Sequence, residues 1–266
     1  MCGYAGVVLR LGTFTPSVLL RVARVSGRLG GDFLEVPVSS SRAQFAALLD
    51  GSLDAALTSP DNVLAHTGSA AGTVPVEILA GVDRGLGLAL YSDRAPAELR
   101  GATFGVDVPG SGFALVMYAL AESIGLTRAD YQVVALGSTP KRLAALRAGE
   151  CAATMLNAGN DLLAEEAGFT ALARVAQPYL GSVLVGRHSY RDLRAALVST
   201  ADGILAGSLD AEVLDQAGDV FGAHLAGRYL ARLKDPDGGL VPHGVVDPDA
   251  MRAVIELRHR YEGRGR

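Results

Sequence analysis

The chain has 266 residues, of which 49% are hydrophobic and 20% charged, with a net charge of −4 and a pI near 5.7. That length builds about one to two domains with ample apolar material for a core. The mild acidity, with no arginine- or lysine-rich run apart from the short tail Arg258 to Arg266, excludes a nucleic-acid surface, and the two cysteines, Cys2 and Cys151, exclude a disulfide framework or multi-cysteine zinc site.

From the N-terminus, Val7 to Leu11 reads as an apolar strand that passes through Gly12-Thr13-Phe14-Thr15-Pro16-Ser17 into an amphipathic helix ending near Arg28. Phe33 to Val38 is a second strand, with Ser39-Ser40-Ser41 placed to cap a helix through Leu49. Asp54 to Leu57 is a third, ending in Thr58-Ser59-Pro60-Asp61-Asn62 before another helix. Val76 to Tyr91 is extended and apolar around an Asp83-Arg84-Gly85 break, and Ala95 to Leu99 starts a short helix.

Phe104 to Leu115 repeats the grammar of strand, glycine loop and helix. Phe104, Val106 and Val108 alternate with smaller or polar residues, Pro109 and Gly110 break the chain, and an apolar run follows from Phe113 to Ile124. Small residues at 110–112 let a ligand approach a helix N-terminus whose N–H groups lack intrahelical partners. A carboxylate, sulfonate or phosphate fits there on the main chain alone, since the next basic residue is Arg128. The same spacing also fits a plain turn with Ser111 as the helix cap.

Tyr131 to Leu136 is a strand, and Gly137-Ser138-Thr139-Pro140 leads to a helix through Ala148. Cys151 to Leu156 is a strand ending at Asn157, and Asn160 to Ala167 is helical. Strands at Ala171 to Val175 and Ser182 to Gly186 precede a mainly helical region from Tyr190. Such alternation marks parallel α/β sheets.

A shift of about 98 positions aligns Ala46 with Ala144, Leu48 with Leu146, Gly51 with Gly149, Ala55 with Ala153, Asn62 with Asn160 and Leu64 with Leu162. A period near one hundred residues is too long for a solenoid and predicts two similar α/β lobes facing each other across a cleft. The expected lobes are residues 1–88 with 185–266, and residues 89–184, with Leu209 to Leu233 covering the first. Ligands of open α/β sheets bind at strand C-terminal ends. Candidate binding residues are therefore Thr13, Phe14, Ser39, Ser40, Thr58, Ser59 and Asn62 from the first lobe, and Ser111, Gly112, Phe113, Ser138, Thr139, Asn157 and Asn160 from the second.

Catalytic signatures are missing: there is no His-Glu-x-x-His, Gly-x-Ser-x-Gly or Gly-x-x-x-x-Gly-Lys-Ser/Thr. The histidines at 66, 188, 224, 243 and 259 show no metal-ligand spacing, His66 being the one nearest the predicted cleft. Asp61, Asp83 and Asp107 lie near strand ends without an evident acid/base pairing. The sequence assigns no catalytic residue, metal or cofactor. No apolar run reaches the ~18 residues that span a bilayer, and no charged n-region precedes an apolar segment. A cytoplasmic protein is expected if Met1 is the native start, and a periplasmic or extracellular lipoprotein if Cys2 is the remnant of a cleavage site.

The run from Leu99 to Asp107, Pro109-Gly110-Ser111-Gly112-Phe113, the Gly137-Ser138-Thr139-Pro140 turn, Leu146 to Glu150 and Asn157 resemble the second lobe of type II solute-binding proteins. The nearest group is the nitrate/taurine/sulfonate-type substrate-binding proteins of ABC transporters. Val38 to Ser41 and Thr58 to Asn62 resemble its first lobe, the similarity covering roughly residues 7–190. The resemblance implies an α/β fold of two lobes with crossover strands near 82–93 and 180–187, closing on a small organic, anionic solute. An ABC permease is the implied partner if the chain is exported. The same fold also carries cytoplasmic enzymes, so a dehydratase-like lyase or a decarboxylase acting on a small carboxylate is the alternative.

Overall fold

The computed structural model describes residues 8–30, 32–67, 76–186 and 190–262; Cys2, Val7, His188 and the end of the basic tail lie outside them. In the first part of the chain β1 (Leu9–Thr13), β2 (Phe33–Pro37), β3 (Ala55–Thr58) and β4 (Glu77–Asp83) alternate with α1 (Val18–Val25), α2 (Ser41–Asp50) and α3 (Pro60–Thr67). Next come β5 (Ala89–Ser92), β6 (Thr103–Val106), α4 (Gly112–Ser123), β7 (Gln132–Ala135), α5 (Thr139–Arg147), β8 (Ala153–Leu156), α6 (Asn160–Glu166) and β9 (Thr170–Arg174). After β10 (Ser182–Gly186) the chain is helical: α7 (Arg191–Leu205), α8 (Asp210–Phe221), α9 (Ala223–Lys234) and α10 (Pro248–Tyr261).

Local chemistry sets these boundaries. Ser17 caps α1 by accepting from Leu20 N (3.3 Å), and Ser40 caps α2 by accepting from Ala43 N (3.2 Å). Helix α1 stops at Val25 rather than near Arg28 because the chain turns through Gly27 at a left-handed φ of 70°.

The strands form two five-stranded sheets of the same plan, β2-β1-β3-β10-β4 and β7-β6-β8-β5-β9. In the first, β1 runs parallel to β2 and β3 while β10 is antiparallel to β3 and β4; in the second, β6 runs parallel to β7 and β8 while β5 is antiparallel to β8 and β9. The sequence repeat maps α2, β3 and α3 onto α5, β8 and α6. Alternation of strands and helices revealed only the parallel part. The antiparallel strands are the crossovers: the chain leaves the first sheet after β4 to supply β5 to the second, and returns after β9 to supply β10. The two crossing segments touch, since a side chain on Gly181 would overlap the backbone of Gly85, which itself has a φ of 119°.

Helices α7 to α9 bury Leu197, Ile204, Val213 and Leu225 with Leu11 of β1 and with Leu20 and Val22 of α1. Val254 and Tyr261 of helix α10 join Phe104, Met117 and Tyr118 in the core of the second half, and Tyr261 Oη donates to Glu122 (2.7 Å). On its other side Arg258 holds Asp61 of α3 at 2.8 and 2.9 Å. Helix α10 thus packs on both halves, Ala250 and Met251 joining Phe45 and Val63 of the first and Val254 and Tyr261 the core around α4 of the second.

Burial raises the carboxyl pKa of Asp61, opposed by the Arg258 guanidinium. Removing that guanidinium strands a buried carboxylate, so Arg258→Ala is expected to cost about 3 kcal/mol of folding stability, read by urea denaturation. A loss below ~1 kcal/mol would assign the pair to the class of solvated surface bridges.

Candidate functional site

The C-terminal ends of the parallel strands in both sheets face a shared, partly open space of about 120 Å³. That compares with the ~150 Å³ that admits benzene in an engineered protein cavity, which sets the scale of an occupant. From the first sheet it is lined by Thr13 and Phe14 at the end of β1 and by Thr58, Ser59 and Asn62 from the end of β3 into α3; from the second by Ser111, Phe113, Thr139 and Asn157. Nine sequence-predicted positions thus meet at one cavity. Thr13 is held by Glu35, whose Oε1 accepts from Thr13 Oγ1 (2.8 Å) and from Ser17 N (2.6 Å), fixing the β1–α1 loop.

The other five candidates lie beside it. Ser39 and Ser138 line an adjoining groove and are joined by Ser138 N donating to Ser39 O at 3.1 Å, while Ser40 serves as the α2 cap. Asn160 Nδ2 donates to Thr15 Oγ1 (3.2 Å) and to Asn157 O (3.3 Å). Gly112 packs against the opposite half: a Cβ there would overlap Ser59 Oγ and stand 2.8 Å from Asp61 Cβ. These groups close the cleft and support its walls.

The main-chain anion cradle is largely spent. Ser111 N donates to Val108 O (3.0 Å) and Gly112 N to Asn62 Oδ1 (3.4 Å), so the α4 N-terminus is turned toward protein acceptors. The positive charge comes from a residue not among the sequence candidates. Arg142, one turn into α5 and 2% exposed, donates to Gly137 O (2.6 Å), Thr139 Oγ1 (3.0 Å) and Met155 O (3.2 Å). Among the described residues no carboxylate lies within ion-pair distance of it. Burial pulls its pKa down to about 10, with Asp107 pulling the other way, so it stays protonated at neutral pH.

Two carboxylates also face the cavity. Asp107, after β6, accepts from Ser41 N at the start of α2 (3.0 Å), a bond across the cleft that uses the positive end of a helix. Asp83, at the end of β4, accepts from Gly85 N (2.8 Å) and from Ser182 Oγ at the two crossings. Burial lifts its pKa to about 6 against these hydrogen bonds. Leu19, Leu57, Leu86, Tyr229, Leu233 and Leu240 complete a largely apolar wall. Tyr229, Leu233 and Leu240 come from the helical C-terminal region, and nothing in their local sequence ties them to strand ends. Arg142 had a local signal, three residues beyond Thr139 on the same helical face, but adjacent to Lys141 it reads as a surface charge. His66 stacks on Phe45 (centroids 4.5 Å apart) away from the cavity, in a groove beside α10.

No family model and no curated protein matches the sequence. Solved structures do. A Candida albicans protein described as having the generic periplasmic binding protein fold superposes with a TM-score of 0.70 at 14% identity, covering 96% of this chain and 90% of its own. The chain has the type II periplasmic-binding-protein fold. Within that fold it is also similar to the alkanesulfonate-binding protein of Xanthomonas axonopodis pv. citri bound to MOPS (TM-score 0.73, 18% identity, 95% of this chain and 91% of that one). A zinc-bound ligand-binding component of an ABC-type import system from Staphylococcus aureus matches with a TM-score of 0.74 at 14% identity, covering 96% and 91%. In this chain no group of three or more His, Cys, Asp or Glu among the described residues is placed to hold a metal ion.

Two outcomes follow from the geometry. Gly112→Val wedges the α4 N-terminus away from Ser59 and Asp61, so small-angle scattering should record a larger radius of gyration with an unchanged circular dichroism spectrum; an unchanged radius would show that this contact does not hold the cleft shut. For Asp83, a folded pKa raised above the unfolded value means the native state binds more protons between about pH 4 and 6. Its stabilising contribution is complete below the unfolded pKa and is lost as pH rises through about 6, on the order of 2–3 kcal/mol. Urea titrations from acid to neutral pH should show that loss in the wild type and not in Asp83→Asn; parallel profiles would contradict it.

Proposed function

We propose that the protein binds a small organic solute carrying an acidic group in the cleft between its two lobes. The lobes are residues 1–88 with 185–247 and residues 89–184, with α10 lying across both. The observation that carries this reading is the buried Arg142 guanidinium in a mostly apolar, molecule-sized cavity, without a carboxylate at ion-pair distance, among neutral hydroxyl and amide groups from both sheets. A buried cation bonded only to carbonyls and a hydroxyl is costly unless an anionic group completes its environment. Groups of this kind favour reversible capture: the described residues lining the cavity include no histidine, cysteine or lysine, and Asp83, the carboxyl raised toward neutral pH, has its two oxygens held by Gly85 N and Ser182 Oγ.

The structural relatives described as alkanesulfonate-binding and ABC-import proteins support an assignment as the substrate-binding component of such an importer, with a permease as partner if the chain is exported. Among the described residues no helix is long and apolar enough to cross a membrane.

Native mass spectrometry of the protein incubated with a small-metabolite extract tests this. A retained molecule of roughly 75–250 Da is expected from the cavity size. Arg142→Met, which keeps the stem and removes the charge, should reduce the bound fraction at least about tenfold, the scale of one charge-assisted hydrogen bond. Equal retention by a folded Arg142→Met variant would remove the basis for an acidic group.

A further inference from the structure

We infer that the solute is amphoteric: an acid and an ammonium group share one end of a short apolar skeleton, the acid facing Arg142 and Ser111 and the ammonium facing Asp107. This rests on the solute-binding reading and goes beyond it by fixing the net charge of the ligand.

Three polar groups lining the cavity, Arg142, Ser111 and Asp107, have hydrogen-bonding capacity that the protein leaves unfilled in complementary ways. Arg142 is bonded only to neutral oxygens. Ser111 Oγ, in a residue 4% exposed, is buried without a hydrogen bond and does not cap its own helix. Asp107, 7% exposed, gives Oδ2 to Ser41 N and leaves Oδ1 buried with no donor. Asp83, the other carboxylate in the wall, has each oxygen occupied, Oδ1 by Gly85 N and Oδ2 by Ser182 Oγ, so the open acceptor is that of Asp107.

A simple monoanion answers Arg142 and Ser111 only. It leaves Asp107 Oδ1 unsatisfied and sets a second negative charge beside it in the same 120 Å³. A ligand whose added donor is an ammonium satisfies all three groups and leaves them electrically balanced, one positive and one negative charge on each side. The remaining lining mixes hydroxyl and amide groups such as Thr13, Thr58 and Asn157 with a larger apolar share from Phe14, Leu19, Leu57, Phe113, Leu233 and Leu240, which suits a hydrocarbon body.

Matched triads test the class by isothermal titration calorimetry: leucine, isocaproate and isoamylamine; phenylalanine, hydrocinnamate and phenethylamine; taurine, ethanesulfonate and ethylamine. In at least one triad the wild type should bind the amphoteric member at least about tenfold more tightly than its acid or its amine, and the triad that responds distinguishes a carboxylate from a sulfonate. Asp107→Asn retains an oxygen for Ser41 N but loses the charge, so it should weaken the amphoteric member and strengthen the plain acid, reversing their order. Ser111→Ala, which leaves every charge in place, should weaken both acid-bearing members several-fold without changing that order. Acid binding equal to or tighter than the amphoteric member in the wild type, with the order unchanged in a folded Asp107→Asn, overturns the inference. If no triad binds, the molecule retained in native mass spectrometry decides: one holding both an acid and a basic amine supports it, and one lacking either overturns it. Retention of no molecule at all removes solute binding itself.

Discussion

Each of the two sheets is completed by a strand that arrives from the other half of the chain, β5 hydrogen-bonded between β8 and β9, and β10 between β3 and β4. Because both insertions are antiparallel, the connections enter and leave at the same end of each sheet, and the crossing segments meet where Gly181 lies against Gly85. The parallel strands of both sheets must then point their C-terminal ends at one another. Everything polar that a βα loop carries is delivered to that shared space, and two sheets anchored through two short crossings can rock apart without losing strand pairing.

The walls combine closure with recognition. Bonds across the cleft, such as Ser41 N to Asp107, Ser138 N to Ser39 O and Asn160 to Thr15, are spread around the cavity and use small residues that approach closely. Helix α10 adds a strap: Arg258 grips Asp61 on one half while Tyr261 is buried on the other. Inside, the charged groups are few and deeply buried, so each is strongly coupled to whatever occupies the cavity. Arg142 stands in the same lining as the carboxyl groups of Asp107 and Asp83, so the site is not uniformly positive.

Much of this was legible in the sequence because the informative residues sit next to their structural markers. Thr13 and Thr58 end strands, Ser59 and Asn157 follow them directly, Asn62 and Thr139 sit in the first turn of the next helix, and the match of Ala55 and Asn62 with Ala153 and Asn160 exposed the duplicated plan. What stayed hidden depends on tertiary contact. That Ser111 N and Gly112 N are consumed by Val108 and Asn62 follows from loop geometry and from the opposing half, neither of which spacing encodes. Arg142 and Lys141 are adjacent basic residues, and only the packing of α5 against β8 buries the first beneath Met155 O. Tyr229 and Leu233 reach the cavity from a helix that begins far downstream of the strand ends. Helix α10 has the periodicity to cover any apolar face, and its choice of α4 is a matter of shape and of the Tyr261–Glu122 bond.

The most direct test of the two-sheet clamp is a crystal structure of the protein isolated from its own organism without a refolding step. The account predicts density for one small molecule in the cavity, within hydrogen-bonding distance of Arg142 and Asp107 and touched by side chains from both sheets. A molecule bound elsewhere, or held by the residues of one sheet alone, would contradict it.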